Sequence, residues 1–251
     1  MSYRRRVSPS YAQRRRGSPV RPGKKKRQGK SEQWLEYSRS ISYKGELIPA
    51  STRKTAINLV RELKKRGVKY VLAGALPVQF YGRERLSRDV DIVVSLDERG
   101  AESLFELLKS DRYTVLYPLR HEQEINSPSD LMRLGLLKVR DAKTQSLVDV
   151  LLRPTEVGFK FGDEPEERAR TVVLNGEQIL IPSPEDYLIM KLKSRRPGTH
   201  DFEDIISTLS TQFNVLDWAY LQRRAKEEKL TSLLNHYKEA VESKLKKAET
   251  R

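Results

Sequence analysis

The sequence predicts an α+β protein: a small mixed β-sheet flanked by helices, followed by a helical C-terminal region. Three observations predict it. Strand-like and helical apolar patterns alternate between Thr52 and Leu152. An Asn175-Gly176 pair lies between two β-rich runs in TVVLNGEQILI, a strong short-range hairpin signal. After Ser183 the strand patterns cease and apolar residues recur at helical spacing.

In chain order, Ala56, Leu59, Val60 and Leu63 mark a helix starting at Ser51 or Thr52, with Gly67 as its stop. A strand follows over Val68–Ala73, then a turn at Gly74 and a short helix to about Tyr81. The apolar run from Asp89 to Val94 is a second strand. Residues 98–109 form an amphipathic helix and Tyr113–Tyr117 a strand. Gly135–Arg140 and Gln145–Leu152 read as two further strands, antiparallel about a turn at Asp141-Ala142-Lys143. Ser183 caps the next helix, with Pro184 at its first position and Asp186 at capping-box spacing. Helices are expected near 183–195, 199–210, 215–228 and 231–248. The divisions that follow are 1–30, a disordered basic tail; 31–182, the α/β domain; and 183–251, a helical domain. Trp34, Leu35, Tyr37, Ile41 and Tyr43 can anchor the transition after the tail.

Composition narrows the chemistry. With 251 residues and 37% hydrophobic content, the chain can bury a core. It has no cysteine, which excludes disulfides, thiolate metal sites and cysteine nucleophiles. The three histidines, His121, His200 and His236, are scattered, so a metal here would take oxygen ligands. No apolar run approaches a membrane span and no secretory signal pattern is present; a cytoplasmic location is expected. The net charge of +15 is concentrated at one end. Residues 1–30 hold 12 Lys or Arg and no Asp or Glu, leaving 37 basic and 34 acidic residues, or +3, in the rest. Such a segment lacks the apolar surface to fold and suits an electrostatic arm for nucleic acid, with a solubilising or stray basic tail as the bland reading.

The chemistry centres on Tyr70–Val94. Strand residues two apart share a face, so Asp89 and Asp91 point the same way, roughly 6–7 Å apart. Val90, Ile92 and Val94 point into the core. Paired carboxylates repel unless a positive charge sits between them. Asp149 is the lone charge in the apolar run Leu147–Leu152, and an ionised carboxylate there needs a partner or a metal. If the two strands are neighbours, three carboxylates converge at one sheet edge. Magnesium, or manganese in its place, suits such an oxygen cluster, and two ions about 3.5–4 Å apart can clamp an in-line phosphoryl displacement. The Gly74-Ala75 turn before a helix offers backbone N–H groups to a phosphate. Arg83, Arg85 and Arg88 either neutralise triphosphate oxygens or balance the aspartates.

The string Gly74-Ala75 … Tyr81-Gly82 … Arg85-Leu86-Ser87-Arg88-Asp89-Val90-Asp91-Ile92-Val93 resembles the nucleotidyltransferase superfamily, the DNA polymerase β-like fold. It is similar to minimal members such as AbiEii-type toxins. Ser183-Pro-Glu-Asp186 through Lys191, with Arg195-Arg196 and His200-Asp201-Phe-Glu-Asp204, is similar to their helical part. The likeness covers roughly residues 52–210. It implies that Asp89 and Asp91 hold both magnesium ions, and that Asp149 holds the catalytic one and favours deprotonation of the acceptor. It implies that Gly74 and Ala75 receive the triphosphate, with Arg85, Ser87, Arg88 and Lys191 as nucleotide contacts. Ala75 departs from the serine common at its position, whose hydroxyl touches a phosphate. The implied reaction is attack of an acceptor hydroxyl on the α-phosphorus of a nucleoside triphosphate (NTP), releasing pyrophosphate. RNA, with the tRNA 3′ end as one form, is the expected acceptor, and an antitoxin protein the implied partner. A protein or small-molecule acceptor stays open. The alternative is a non-catalytic nucleic-acid-binding protein on a degenerate form of this fold.

Bland readings stand beside these. Asp89 and Asp91 could pair with Arg85 and Arg88, and Asp149 could form a strand-edge salt bridge. Lys191, Arg195 and Arg196 could end a solvated helix. Asp201 and Asp204 read as solvated or first-turn residues, and Trp218 and Tyr220 as packing residues.

Overall fold

The computed structural model describes residues 48–117, 125–194 and 200–249. The basic segment 1–30, the anchor residues Trp34–Tyr43, His121, Arg195 and Arg196 lie outside the described residues. The first helix, α1 (Ala50–Lys65), buries Ala56, Leu59, Val60 and Leu63, the stripe its sequence spacing marks. It closes at Gly67 with hydrogen bonds from Gly67 N to Lys64 O and Val68 N to Leu63 O, the two bonds of a Schellman turn. Then follow β1 (Lys69–Leu72), α2 (Ala75–Tyr81), β2 (Asp89–Ser95), α3 (Glu98–Lys109), β3 (Tyr113–Tyr117), α4 (Pro128–Arg133), β4 (Leu136–Asp141) and β5 (Leu147–Leu151). Asp97 caps α3, its carboxylate accepting from Gly100 N at 2.7 Å.

The five strands form one sheet in the order β1-β2-β5-β4-β3. Only β2 and β5 run parallel; the other neighbours are antiparallel, so the sheet is mixed. The parallel pair is separated by α3, β3, α4 and β4, the long crossover such pairing needs. One face carries Val90, Ile92, Val94, Leu137, Val139, Val148 and Val150 into a core shared with α1 and α3. These residues are spaced by two along each strand, as a buried face requires.

Beyond the sheet, a 3-10 turn (Pro154–Val157) and the single-turn α5 (Glu164–Glu167) lead to the hairpin of β6 (Arg170–Leu174) and β7 (Glu177–Ile181). Asn175 and Gly176 both have positive φ, 47° and 81°, which fits a type I′ turn. The remaining helices are α6 (Pro184–Ser194), α7 (Asp201–Gln212), α8 (Trp218–Glu227) and α9 (Thr231–Glu249). Ser183 Oγ accepts from Asp186 N at 3.1 Å, so Ser183 caps α6 with Pro184 in its first turn.

Helix α6 ties the molecule together. Every residue from Pro184 to Leu192 is buried, as in a helix enclosed on all sides. Tyr187 joins the core beneath the sheet. Met190 packs with Val71, Ala73, Val93 and Phe159 over the opposite sheet face. Leu188, Ile189 and Leu192 belong to the helical core with Ile205, Leu209, Leu221 and Leu234. No helix among the described residues is long and apolar enough to cross a membrane.

Candidate active site

The register of β2, β5 and β4 assembles the site. Asp91 pairs with Asp149 across the parallel ladder, and Asp149 with Lys138 across the antiparallel one. Residues opposite one another on adjacent strands share a face at about 4.8 Å strand spacing. Asp91, Asp149 and Lys138 thus form a row across three strands, with Asp89 two positions back along β2. The structure therefore brings the three sequence-predicted carboxylates to one sheet face. Beyond them on that face Val93 is covered by Met190 and Phe159, so the carboxylates lie at the rim of a packed layer.

Asp91 is strongly perturbed. Its enclosure pushes the carboxyl up to about 6, and the charges of Asp149 and Asp89 push the same way, against Lys191 and Arg85. Gly74 explains part of the enclosure. It ends β1 at φ 62° and ψ −125°, and a Cβ added there would lie 1.8 Å from Asp91 Oδ2. A side chain is barred by the carboxylate as well as by the left-handed backbone. The turn is held from both sides. Ala73 N donates to Asp91 O at 2.8 Å, and the buried Tyr187 hydroxyl donates to Gly74 O at 3.0 Å. Ala75 is buried, so its backbone N–H is the polar group it can offer. A small cavity of about 20 Å³ lies here, lined by the apolar Ile48, Leu72, Leu76 and Leu174 together with Thr52, Ser87, Asp89 and Asp91.

Asp149 makes an ion pair with Lys138, Oδ1 to Nζ 2.8 Å. That oxygen is nevertheless buried without a well-directed hydrogen bond. Proximity without alignment leaves a charge interaction in place and a lone pair unused. Among the described residues no three acidic or histidine side chains are drawn together closely enough to hold a metal ion.

The basic loop between α2 and β2 serves a different neighbour from the one expected. Arg83 and Arg85 make their ion pairs with α7, while the Arg85 charge still acts on Asp91. Arg83 donates to Asp204 Oδ1 at 2.9 and 3.1 Å and pairs with Glu203 at 2.7 Å. Arg85 donates to Asp204 Oδ2 at 2.6 Å. Lys191, buried on α6, pairs with Asp201 at 2.7 Å and Asp204 at 3.0 Å. The reading of Asp201 and Asp204 as solvated is thus corrected: Asp204 is wholly buried and Asp201 nearly so. Both lie on the buried side of α7, one turn before Ile205 and Thr208, where that side meets three cations rather than water. Ser87 Oγ donates to Asp89 O at 2.9 Å, Thr52 Oγ1 to Arg88 O at 3.0 Å, and Gln79 to Arg85 O at 2.9 Å. These bonds fix the loop's backbone and leave the Arg88 side chain exposed.

Sequence reasoning missed Lys138 and Tyr187. Lys138 had a signal. An antiparallel pair of β4 and β5 that buries Leu137 opposite Val150 and Val139 opposite Val148 sets Lys138 beside Asp149. Tyr187 had none, because its partner is a backbone carbonyl 113 residues away. Tyr220, expected to pack, is buried and also donates to Asp186 at 2.9 Å.

A family model described as "Uncharacterised nucleotidyltransferase" matches residues 32–237. The chain belongs to that family. This nucleotidyltransferase is similar to several solved structures. One is an antigenic nucleotidyltransferase-like protein from Paracoccidioides brasiliensis, at 21% identity over 77% of this chain and 94% of that one, TM-score 0.43. Another is the antibiotic-resistance factor ANT(2'')-Ia in solution, at 15% identity over 74% and 97% of the two chains, TM-score 0.44. A third is ANT(2'')-Ia in complex with adenylyl-2''-tobramycin, at 14% identity over 70% and 97%, TM-score 0.40. No curated protein matches the sequence.

Proposed function

We propose that this nucleotidyltransferase is magnesium-dependent and moves a nucleoside monophosphate from an NTP to a hydroxyl of RNA. The observation that carries the site is the pairing of Asp91 with Asp149 on adjacent parallel strands, with Asp89 on the same face. The donor types fit a divalent ion, which would have to draw the three side chains closer together than they stand. All three donors are carboxylate oxygens, one Asp149 oxygen is buried with the Lys138 ammonium beside it, and Asp91 and Asp149 repel one another. Asp89, Asp91 and Asp149 would hold it. Such an ion, when bound, supplies positive charge to phosphoryl oxygens and lowers the pKa of an acceptor hydroxyl.

The chain's own residues supply placement. Gly74, bare of a side chain, lets the turn close on Asp91, and Tyr187 fixes the turn's carbonyl. The N–H groups of Gly74 and Ala75 and the side chains of Ser87 and Arg88 are the groups assigned to the triphosphate. Lys191 and Arg85 act from behind, as positive charges that keep Asp91 more acidic than burial alone allows. In the reaction the acceptor oxygen bonds to the α-phosphorus, the bond to the bridging oxygen breaks, and pyrophosphate leaves. The acceptor proton passes to Asp149. Positioning and charge neutralisation, rather than a covalent intermediate, supply the rate.

RNA is assigned as acceptor from the basic segment 1–30, with the tRNA 3′ end as its narrowest form. A toxin-type role with a protein antitoxin is the corresponding biological reading, carried by the likeness of the Gly74–Val93 motif to AbiEii-type enzymes. Incubation with α-labelled nucleotides, magnesium and total RNA tests the proposal. Label is expected in RNA with the wild type and absent with Asp89→Ala/Asp91→Ala. Equal labelling by both proteins would overturn the site, and label confined to small molecules or protein would overturn the acceptor. The Lys138–Asp149 ion pair favours one second reading, RNA binding without turnover. RNA retention with no label from any nucleotide would select it.

A further inference from the structure

Lys138 is the cation that the strand register sets directly opposite a carboxylate of the row. It stands opposite Asp149 in the ladder, with Asp91 on the far side of Asp149. Its ammonium lies 2.8 Å from Asp149 Oδ1, the oxygen that a divalent ion would also seek. As a lysine it carries the ordinary ammonium charge at neutral pH. Its side chain is 32% exposed, which leaves it a path into solvent. Arg85 and Lys191, the other cations near Asp91, are held by Asp204 and Asp201 and are not available to move.

We propose that Lys138 is a resident counter-cation that competes with the incoming divalent ion for Asp149 and thereby sets the ion affinity of the site. This rests on the magnesium reading above. Without an ion, Lys138 offsets the repulsion between Asp91 and Asp149. When an ion arrives, the ammonium must leave Asp149, and that displacement weakens ion binding. Removing the lysine charge therefore tightens ion binding and destabilises the ion-free protein, two effects of opposite sign from one substitution. A lysine that only supported the strand would give the second without the first.

Manganese(II) is the probe, titrated by paramagnetic resonance into the full chain without nucleotide. Lys138→Gln is expected to bind it about tenfold more tightly than the wild type, the equivalent of about 1.4 kcal/mol. Lys138→Arg, which keeps the charge, is expected to stay within about twofold of the wild type. In ion-free buffer Lys138→Gln is expected to melt below the wild type, with saturating manganese closing the gap. Lys138→Met, which keeps the aliphatic stem, replaces the glutamine variant if that does not fold. Manganese binding that is unchanged or weaker in the neutral variants overturns the proposal while the metal site stands. No manganese binding by the wild type or any variant overturns the metal site and this proposal together.

Discussion

At the scale of the residue, Gly74 and Asp91 form one unit. The glycine is required by the carboxylate it faces, since an added methyl carbon would lie 1.8 Å from Asp91 Oδ2. Gly74→Ala therefore has two penalties, the steric one and the positive φ. It is expected to destabilise the fold by about 1–3 kcal/mol and to cut nucleotide transfer by at least about 10²-fold, because the carboxylate must move. Urea unfolding and label transfer on the same preparation separate the two effects; a variant that transfers at the wild-type rate would show that Asp91 is not a working group. Asp91 itself makes a pH prediction. Its carboxyl is raised from 3.8 to about 6, so the folded chain holds this proton more firmly than the unfolded chain. The stability it contributes is whole below pH 3.8 and is lost as the pH rises through about 6. At pH 7 the ionised carboxylate then burdens the ion-free fold by about 1–3 kcal/mol, allowing for solvent screening. Asp91→Asn is expected to melt above the wild type at pH 7 without divalent ions, to match it near pH 4, and to lose transfer altogether. Calorimetry at the two pH values checks the sign. A lower melting point at pH 7 would place Asp91 in a stabilising ion pair instead.

At the scale of the element, α6 and α7 hold the basic loop against the site. One buried carboxylate, Asp204, meets Arg83, Arg85 and Lys191. Removing one partner of a buried ion network leaves the others unpaired, so Asp204→Asn is expected to destabilise the protein by about 3–5 kcal/mol in urea. Lys193→Ala, on the same face of the molecule as the exposed Thr155 carbonyl it bonds, is expected to change stability by less than about 1 kcal/mol. Similar losses from both would remove Asp204 from its central place. These elements also show what a sequence discloses. Strands β2, β3 and β5, the hairpin at Asn175-Gly176 and the ends of α3 were legible because each is written in local periodicity, turn chemistry or a cap. The carboxylate row was legible for the same reason, since a lone aspartate in an apolar strand is anomalous without reference to any neighbour. The short α4 and α5, of 6 and 4 residues, were not, because one turn of helix shows no period. Nor was the burial of Asp204, whose contact with Arg83 spans 121 residues of sequence. A hydrophobic stripe tells which face of α7 is apolar; it does not tell that the same side meets three cations.

At the scale of the whole molecule, the charge is divided between a nearly balanced body and a strongly basic leading segment. The family match begins at residue 32, so the 12 basic residues of the first 30 are an addition to the body that the family shares. The segment's contribution is expected in binding rather than in the chemistry of the carboxylate row. If about half of those charges meet RNA phosphates, affinity should fall with salt at a logarithmic slope of about −4, or roughly 10²–10³-fold between about 50 and 200 mM salt. A chain lacking residues 1–30 retains only a net +3, spread over a body with 34 acids, and its slope is expected to lie near zero. The measurement is a filter or anisotropy titration of labelled RNA at four salt concentrations with both proteins. Steering adds a second signature. At low salt the full chain should reach half-maximal transfer at lower RNA concentration than the shortened one, and the advantage should vanish as the Debye length shrinks toward about 3 Å at 1 M salt. Equal slopes in the two proteins would mean that the body, not the tail, meets the phosphates.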